Sequence, residues 1–359
     1  MSETIRISVD AMGGDRGPRV VIEGALLALK ERKNTSFIFH GREEVLGPLL
    51  DEFSALKPVS TVHHAETVIL MDDKPSHALR KGRGTSSMWA ALQSVKDGEA
   101  DVAISGGNTG ALMAMATFCL RPIPGISRPA IAAVWPTLRA DIIVLDVGAT
   151  IDDDARQLVD FTVLGAALAR TLFDQESPTV GLLNVGEEEV KGLDHIKEAA
   201  QVLAGVTGAG FTYYGFVEGD DIGKGTVDVV VTDGFTGNVA LKAAEGTARQ
   251  VGTYLRQALS ADIVSRLGAL LASRALKALR SKMDPRTSNG GVFLGLNGIV
   301  IKSHGGTDEV GFKSALGLAY EMARSHLMDK VAEGMRRFPH PPSESDVPAL
   351  APQPEAKPA

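Results

Sequence analysis

The sequence predicts an α/β fold built on a largely parallel β-sheet. Short apolar runs rich in Val and Ile alternate with longer amphipathic segments along most of the chain. Nearly continuous apolar runs suit strands that are buried on both faces, and their alternation with helices favours parallel pairing. Several runs end in a loop that combines glycine with a polar side chain. Residues 227–242, VDVVVTDGFTGNVALK, contain a strand, a turn cluster and a helix start in that order.

The composition is that of a globular protein. The chain has 359 residues, of which 44% are hydrophobic and 23% are charged, enough for one or two domains. Only 5% are aromatic and the net charge is −7, so we expect no nucleic-acid partner. The single cysteine, Cys119, lies in an apolar stretch, is expected in the core, and fits a reducing compartment. We see neither a secretory signal nor an apolar run of about 18 residues that could span a membrane.

Periodicity places the first half of the elements. Residues 5–10 alternate as a half-buried strand does, and 72–87 form a polar, basic loop with helical pieces. The other strands of this half are shorter and more continuously apolar. We predict strands at 5–10, 36–40, 59–63, 100–104, 131–134 and 142–145, and helices at 19–30, within 41–56, at 88–96 and from 111 onward.

The second half continues this alternation and then changes. We predict strands at 180–184, 211–214, 227–231 and within 289–304, and helices at 158–173, from 185–189 through 203, from 239 onward and at 312–331. Between 246 and 283 the pattern indicates a hairpin of two helices, with a break and N-cap at 260–262 and an apolar side that needs a partner. Residues 1–338 are expected to form one domain, and 339–359, rich in Pro, Ala, Ser and Glu, a disordered tail.

Glycine-containing loops follow five of the predicted strands. If all these strands share one parallel sheet, the loops converge on one edge and surround one cleft with backbone N–H groups, amides and carboxylates. With the basic segment nearby, this set suits an oxyanion such as phosphate. The alternative is that the glycines only permit positive φ in tight connections. The loops are 10–17, 105–110, 146–148, 184–186 and 233–238.

The sequence contains few motifs of other kinds of catalytic site. There is no P-loop, no GxGxxG and no GxSxG, which lowers the prospects of an NTPase, a dinucleotide enzyme and a serine hydrolase. The histidines lack metal-ligand spacing, so we expect neither a metal nor a cofactor. His304, beside Lys302 in a glycine-flanked loop, has either a site role or a structural one. The run 187–189, EEE, is either a helix's first turn or a source of an acid catalyst.

Eight stretches in order resemble the PlsX-type phosphate acyltransferases, the acyl-carrier-protein:phosphate acyltransferases of bacterial phospholipid synthesis. Three positions depart from that family's pattern. This chain has Gly106 where the family usually has Ala, Thr150 where it usually has Asn, and Asn289 where it often has Tyr. The matching stretches cover nearly all the chain before the tail. They are VDAMGGDRGP, KPSHALRKGRGTSSM, SGGNTGALMA, PGISRPAIA, LDVGAT, LLNVGEEEVKG, VVTDGFTGNVALK and FLGLNGIVIKSHG.

The resemblance implies a three-layer α/β/α fold related to phosphate acetyltransferases and isopropylmalate-type dehydrogenases, with a homodimer. It implies a cytoplasmic enzyme held loosely on the inner face of the cell membrane, with the hairpin 246–283 touching a second copy or lipid. The reaction implied is transfer of a long acyl chain from acyl-carrier protein to inorganic phosphate. A membrane acyl-phosphate:glycerol-3-phosphate acyltransferase would then use the product. Two alternatives stay open: a short-chain coenzyme A phosphotransacylase, and a non-catalytic membrane scaffold.

Phosphate is already a nucleophile, so the protein must align it with the thioester and stabilise the oxyanion. We place phosphate on backbone N–H groups of 106–110 and 234–238, with Lys74, Arg80 and Lys302 neutralising charge. Amides of Asn108, Asn184 and Asn238 could donate to the oxyanion. Asp10, Asp146 and Asp233 could orient lysines and amides, or cap loops. The catalytic candidates are Lys302 and His304, either of which could protonate the leaving thiolate, with Asn238, Asn184 and Asp233.

A larger set is expected to bind phosphate or the rest of the substrate. Its members are Asp10, Gly13, Gly14, Lys74, Ser76, Arg80, Ser86, Ser87, Gly107, Asn108, Thr109, Arg128, Asp146, Glu188, Lys191, Gly234, Gly237 and Lys242. An acidic carrier protein needs a basic docking surface, which either the segment 80–83 or the polar side of the hairpin could provide.

Overall fold

A computed structural model describes residues 4–151, 153–282, 284, 286 and 289–338. Within these residues eleven strands form one sheet, in the order β3-β2-β1-β4-β11-β10-β5-β6-β9-β7-β8. The strands are β1 (Ile5–Asp10), β2 (Thr35–Gly41), β3 (Ser60–His64), β4 (Val102–Ser105), β5 (Ala130–Trp135), β6 (Ile142–Leu145), β7 (Thr179–Leu183), β8 (Thr212–Val217), β9 (Val229–Val231), β10 (Gly291–Leu294) and β11 (Ile299–Lys302).

Helices cover both faces of the sheet, so the predicted three-layer α/β/α architecture is confirmed. One layer holds α1, α2, α6, α7, α12 and α13, and the other holds α3, α4, α5, α8 and the start of α9. The helices are α1 (Pro18–Glu31), α2 (Glu43–Glu52), α3 (Pro75–Gly82), α4 (Ser87–Lys96), α5 (Thr109–Leu120), α6 (Ala155–Phe173), α7 (Asp194–Ala204), α8 (Gly219–Lys224), α9 (Gly234–Ser260), α10 (Ile263–Leu271), α11 (Ser273–Lys282), α12 (Glu309–Arg324) and α13 (Leu327–Arg337).

The central strands are buried on both faces, which explains their continuous apolar runs. In β4, Val102 and Ile104 pack against the layer that contains α1 and α12. Between them, Ala103 faces the layer that contains α4 and α5. All three are at most 2% exposed. Full burial of a side chain as large as isoleucine contributes about 1.5–3 kcal/mol, so such strands fix the sheet's position between the layers.

Strand direction reverses three times in the middle of the sheet. The neighbours β11/β10, β10/β5 and β5/β6 pair antiparallel, whereas the other neighbours pair parallel. Three successive reversals leave β6, β7 and β9 running opposite to β1, β4 and β11. Our prediction that all five glycine loops meet at one edge is therefore wrong. The loops after β1, β4 and β11 share one edge, and those after β6, β7 and β9 share the other.

Helix α9 begins at Gly234, earlier than the predicted start at 239. The segment 233–238 looked like a turn because it contains two glycines, but they serve close packing. A Cβ at Gly237 would lie 1.9 Å from the carbonyl oxygen of Asp146, and one at Gly234 would lie 2.3 Å from that of Thr150. Contacts that close exclude any side chain, so the glycines mark where α9 rests on the loop after β6.

Other predicted boundaries changed less. The break at 260–262 is confirmed, with the Asp262 carboxylate accepting from the N–H of Ser265 at 2.7 Å. The hairpin's second helix is in fact two, α10 and α11, and the predicted final helix is likewise two, α12 and α13. Residues 187–189 do not begin a helix, since α7 starts at Asp194. Met283 and the predicted tail 339–359 lie outside the described residues.

No helix in the described part of the chain is long and apolar enough to cross a membrane.

Candidate active site

A first group of polar residues, which we call the Lys302 cluster, lies where β1, β4 and β11 end. Lys302 pairs in register with Ser105 of β4. Its ammonium donates to the carbonyl oxygen of Gly106 at 3.4 Å and to that of Ser303. The Ser105 hydroxyl donates to the Asp10 carboxylate at 2.6 Å. Ser105 was not predicted as a site residue; its position directly before the glycine pair was the available signal.

Glycines allow the loops of this cluster to touch. A Cβ at Gly13 would lie 2.5 Å from an Asp10 carboxylate oxygen and 2.8 Å from the backbone nitrogen of Gly107. Gly14 has φ of 103°, a conformation that favours glycine. The N–H of Gly107 donates to the Ser105 hydroxyl at 3.0 Å. Asp10, Gly13, Gly14 and Gly107 thus lie together, and their role in binding phosphate or substrate stays a prediction.

Burial controls the charges in the Lys302 cluster. It lowers the pKa of Lys302 to about 8, although Asp10 and Asp15 act in the opposite direction. Burial also raises the pKa of Asp10 above its usual range, and the hydrogen bond from Ser105 only partly offsets this. A lysine with a pKa near 8 is mostly charged at neutral pH, yet it can give up a proton readily.

Asn289 holds the loop that carries His304. Its side-chain oxygen accepts from the N–H of His304 at 3.0 Å, and its amide donates to the Ser303 hydroxyl at 2.9 Å and to the carbonyl of Gly311 at 2.8 Å. The Nδ1 atom of His304 accepts from the N–H of Gly306 at 3.1 Å. Burial lowers the pKa of His304, which favours the neutral ring. The only sequence signal for Asn289 was its departure from the family's tyrosine.

Helix α5 begins beside this cluster. The Asn108 side-chain oxygen caps it by accepting from the N–H of Ala111 at 3.0 Å. The Asn108 amide donates to the carbonyls of Met71 at 2.7 Å and Asp73 at 2.9 Å. Because both amide hydrogens are used, the predicted role of Asn108 as an oxyanion donor is wrong. The N–H groups of Thr109 and Gly110, at the start of α5, have no partner within the helix and can receive an anion.

The predicted basic segment divides into an exposed part and a buried part. Lys74, Ser76 and Arg80 are exposed at and along α3, whose first residue packs against the start of α5. Ser86 and Ser87 are at most 1% exposed, so they cannot bind a substrate directly and that prediction is wrong for both. The Ser86 hydroxyl caps α4 by accepting from the N–H of Trp89 at 3.1 Å.

A second group, the Asp146 cluster, lies where β6 and β9 end. The buried Asp146 carboxylate accepts from the backbone N–H groups of Ile131, Gly148, Ala149 and Thr150 at 2.8–3.1 Å. The Thr150 hydroxyl donates to Asp146 at 2.8 Å and also contacts the Asp153 carboxylate. Burial raises the pKa of both aspartates. Asp146 therefore shapes its own loop, and Thr150 and Asp153, which were not predicted, support it.

The start of α9 has few free backbone donors. Asp233 caps the helix by accepting from the N–H of Thr236 at 2.8 Å. The N–H of Gly234 donates to the Asp153 carboxylate at 3.2 Å, and that of Gly237 donates to the Asp233 carbonyl at 2.9 Å. These backbone N–H groups already have hydrogen-bond partners, and the carboxylates of Asp153 and Asp233 beside them would repel an anion. Our prediction that phosphate binds the backbone of 234–238 is therefore wrong, and Asp233 is a helix cap.

Asn238 and Lys242 connect the two clusters. They are four residues apart on α9 and therefore face the same side, about 6 Å apart along the axis. Asn238 is exposed and lies against Gly148, and its amide has no hydrogen bond within the described residues. Lys242 bonds Glu245 at 3.0 Å and is close enough to lower the pKa of both Lys302 and His304. Helix α9 thus places the free Asn238 amide against Gly148 of the Asp146 cluster, one turn before Lys242, which lies near the Lys302 cluster.

The loop after β7 is organised by Asn184. The Asn184 amide donates to the carbonyls of Gly186 at 3.1 Å and Lys191 at 3.2 Å, so it too is unavailable to an oxyanion and that prediction is wrong. Glu188 and Lys191 form an exposed ion pair at 2.8 Å, which lowers the pKa of Glu188 and raises that of Lys191. Arg128 is exposed in the loop between α5 and β5 and makes no ion pair with the described residues.

Among the described residues, no group of three histidine, cysteine or acidic side chains could hold a metal ion. The Lys302 cluster can supply positive charge, hydrogen-bond donors and a proton at Lys302.

Comparison with known proteins identifies the family. A family model described as "Fatty acid synthesis protein" matches residues 5–330. The chain is 60% identical over 326 residues to the phosphate acyltransferase of Chelativorans sp. (strain BNC1), covering 91% of this chain and 93% of the relative. It is 56% identical over 348 residues to the phosphate acyltransferase of Agrobacterium fabrum (strain C58 / ATCC 33970), which covers 96% of this chain and 99% of the relative.

A phosphotransacetylase from Streptococcus pyogenes shares the fold, with a TM-score of 0.60 at 19% identity over 91% of this chain and 94% of that one. The predicted relation to phosphate acetyltransferase folds is thereby confirmed. Given the extent of the family match and the identity to its relatives, the chain belongs to the fatty acid synthesis protein family and is a phosphate acyltransferase enzyme.

Proposed function

We propose that this enzyme transfers a long-chain acyl group from acyl-carrier protein to inorganic phosphate, giving an acyl phosphate for phosphatidic acid synthesis. The observation that carries the proposal is the buried ammonium of Lys302. It donates to the carbonyl oxygen of Gly106, in the glycine loop that leads from β4 to the free N–H groups at the start of α5. The carrier protein and the long chain come from the sequence resemblance, and the relatives' shared name supports the phosphate chemistry.

Phosphate is placed against the start of α5. Lys302 supplies positive charge, Thr109 and Gly110 supply backbone donors, and Lys74 is exposed just before α3. Asp10 accepts from Ser105 and, through its charge, helps to keep Lys302 protonated. Binding of a dianion here would raise the pKa of Lys302 further toward its ordinary value, because an opposite charge favours the ammonium.

A phosphate oxygen then attacks the thioester carbonyl carbon, forming the new C–O bond and a tetrahedral oxyanion. Asn238 is the donor for that oxyanion, because the amides of Asn108 and Asn184 are already committed to backbone carbonyls. Asn238 lies one turn before Lys242 on the same side of α9, and Lys242 is close enough to Lys302 to lower its pKa. One preorganised donor of this kind contributes about 10²–10³-fold in rate.

Collapse of the intermediate breaks the C–S bond and releases the carrier thiolate. Lys302 is the proposed proton donor to that sulfur, because burial lowers its pKa below that of an ordinary lysine and so makes the ammonium a stronger acid. The lowered pKa of His304 leaves its ring mostly neutral, so we assign it to contact with the substrate through Nε2. The products are acyl phosphate and free carrier thiol. A membrane acyltransferase would use the acyl phosphate.

The test is phosphate-dependent release of carrier thiol from palmitoyl-carrier protein, run in parallel with acetyl-coenzyme A. Release from palmitoyl-carrier protein alone, with palmitoyl phosphate as product, is the expected result. Release from acetyl-coenzyme A alone would assign the enzyme to short-chain phosphotransacylases and overturn the proposal. An Asn238→Ala variant should lose turnover, whereas the exposed Lys30→Met variant on α1 should not.

We further propose that the projecting helices α9–α11 support a cytoplasmic homodimer that rests on the inner face of the membrane. The side chains of Ile263, Val264, Leu267, Leu270 and Leu271 in α10 are 58–88% exposed. Helix α9 also exposes Val251, Tyr254 and Leu255. Apolar faces of this extent mark contacts with protein or lipid. We assign α9 to pairing with a second copy and α10 to lipid.

Analytical ultracentrifugation and vesicle sedimentation separate these two roles. Leu271→Glu should reduce binding to vesicles and leave a dimer intact. Tyr254→Glu should instead yield monomers. A monomeric wild-type protein, or vesicle binding that Leu271→Glu does not change, would contradict the corresponding assignment.

A further inference from the structure

A cationic and aromatic surface, which we call the Arg83–Arg121 patch, lies at the far end of α5 from the candidate active site. The guanidinium carbon of Arg83 is 4.3 Å from the centre of the Phe118 ring and 5.9 Å from that of Trp89. The guanidinium of Arg121 is 5.3 Å from the Phe118 ring. The two rings are 6.3 Å apart, and Phe118 is 37% exposed. Two cations thus share one partly exposed aromatic platform.

The charge of this patch is not neutralised within the described residues. Neither Arg83 nor Arg121 has a carboxylate within ion-pair distance there, although other exposed arginines, such as Arg19 and Arg324, do form ion pairs. A guanidinium that lies on an aromatic face keeps a fixed position and can still accept a carboxylate at its edge. The patch therefore presents two ordered, unpaired positive charges to solvent.

Arg121 occupies a backbone conformation that favours glycine. Its φ is 64° and its ψ is 149°, a combination that costs a residue with a side chain conformational energy. The strained residue is held in place by Asn297, whose backbone N–H and side-chain amide both donate to the Arg121 carbonyl, at 3.0 and 3.1 Å. A glycine would satisfy this backbone with less strain. An arginine here therefore indicates a function of the side chain itself.

Helix α5 connects the patch to the candidate active site. Asn108, its N-cap, lies beside the Lys302 cluster, and Arg121 follows its last residue. Twelve residues give a helix of about 18 Å. This length is comparable with that of an extended pantetheine arm. A carrier bound at the patch could lay its arm along α5 and place the thioester at the start of the helix.

We propose that the Arg83–Arg121 patch is the docking site for the acidic face of the acyl-carrier protein, an inference that rests on the proposed function. Charge complementarity favours this occupant, and α5 links the patch to the Lys302 cluster. It is also small and polar compared with the apolar face of α10, so it suits an acidic protein better than lipid.

The test compares Arg121→Gly and Arg83→Gln with Arg324→Gln, a matched change of an exposed arginine on the opposite face of the sheet. For palmitoyl-carrier protein, each patch variant should raise KM about threefold to tenfold with little change in kcat. Palmitoyl-pantetheine, which lacks the protein, should show unchanged kinetics. Arg121→Gly should also raise the unfolding midpoint, because it relieves the backbone strain. Arg324→Gln should change none of these.

Several outcomes would overturn the inference. Wild-type turnover of palmitoyl-carrier protein with an unchanged KM in both patch variants would refute docking here and leave the proposed function standing. No turnover of that substrate by the wild type would refute the proposed function itself. A patch variant that shifts the dimer equilibrium would show instead an interface between copies. Loss of vesicle binding with an unchanged KM would assign the patch to anionic lipid.

Discussion

Replacing Lys302 by methionine should abolish turnover. The same substitution should stabilise the fold at neutral pH and destabilise it at alkaline pH. Methionine has a similar length but carries no charge. The variant therefore loses both the phosphate-binding charge and the proposed proton donor, and we expect turnover to fall at least about 10³-fold. The effect on the free energy of unfolding follows from the burial of the ammonium, because burial disfavours the charged form.

The size of that effect can be worked out from the structure. A pKa of about 8, compared with 10.5 for the unfolded chain, means that the folded state disfavours the ammonium by about 3 kcal/mol. The unfolded chain binds more protons than the folded one between these values, so this penalty is complete below pH 8 and disappears by about pH 10.5. The methionine variant avoids it but loses the hydrogen bonds to the carbonyls of Gly106 and Ser303.

At about 1 kcal/mol for each lost bond, the variant should be about 1 kcal/mol more stable than the wild type at pH 7 and about 2 kcal/mol less stable at pH 10.5. Urea unfolding of both proteins across this pH range measures the difference directly. Lys30→Met, at an exposed site, serves as the control for exchanging the two residue types. A stability difference between Lys302→Met and wild type that does not change with pH would refute the assignment of a buried, weakened ammonium.

Three further predictions concern the Asp146 cluster and α9. Gly237→Ala should destabilise the fold by about 3 kcal/mol or more in urea unfolding, because its Cβ would lie 1.9 Å from the Asp146 carbonyl oxygen. Gly246→Ala, in the same helix with nothing within 4 Å, should instead stabilise by about 0.5–1 kcal/mol; equal effects at both sites would contradict the packing argument. Asn238→Ala should lower kcat about 10²–10³-fold with little change in KM for either substrate, and an unchanged kcat would remove Asn238 from the mechanism. Thr150→Val should lower the free energy of unfolding by about 1–3 kcal/mol, because the buried carboxylates of Asp146 and Asp153 lose the hydroxyl that they share. Unfolding curves that coincide with those of the wild type would show that another group replaces this hydroxyl.

The fold class could be predicted from the sequence because the spacing of apolar residues along the chain shows which faces of each helix or strand are buried. Strands such as β4 and β9 are apolar without interruption because both of their faces are covered. Strand direction could not be predicted in this way, since a run such as 131–134 reads the same whether its neighbour is parallel or antiparallel. The reversal at β10, β5 and β6 was therefore missed, and with it the separation of the glycine loops into two groups.

Site residues were predicted by type more reliably than by role. The sequence indicated Lys302, Asp10 and Asn238 as polar residues at strand or helix ends. The structure places Lys302 and Asp10 in one cluster and Asn238 against Gly148 of the other. Whether an amide is free depends on tertiary contacts that local sequence does not contain. Asn108 and Asn238 looked equivalent in the sequence. The Asn108 amide, however, donates to the carbonyls of Met71 and Asp73, whereas the Asn238 amide has no such partner within the described residues.

The late hairpin of β10 and β11 has a consequence for the order in which the protein can fold during synthesis. These strands stand in the middle of the sheet between β4 and β5, although more than half of the chain separates β4 from them. Until residue 302 has left the ribosome, β4 and β5 each present an unpaired edge, and the two halves of the sheet have no strand joining them. From the completion of β6 at Leu145 until β11 is made, the nascent chain therefore holds two partial sheets whose inner edges lack a partner strand. Completion of the sheet, and of the site that Lys302 provides, waits for one short segment near the end.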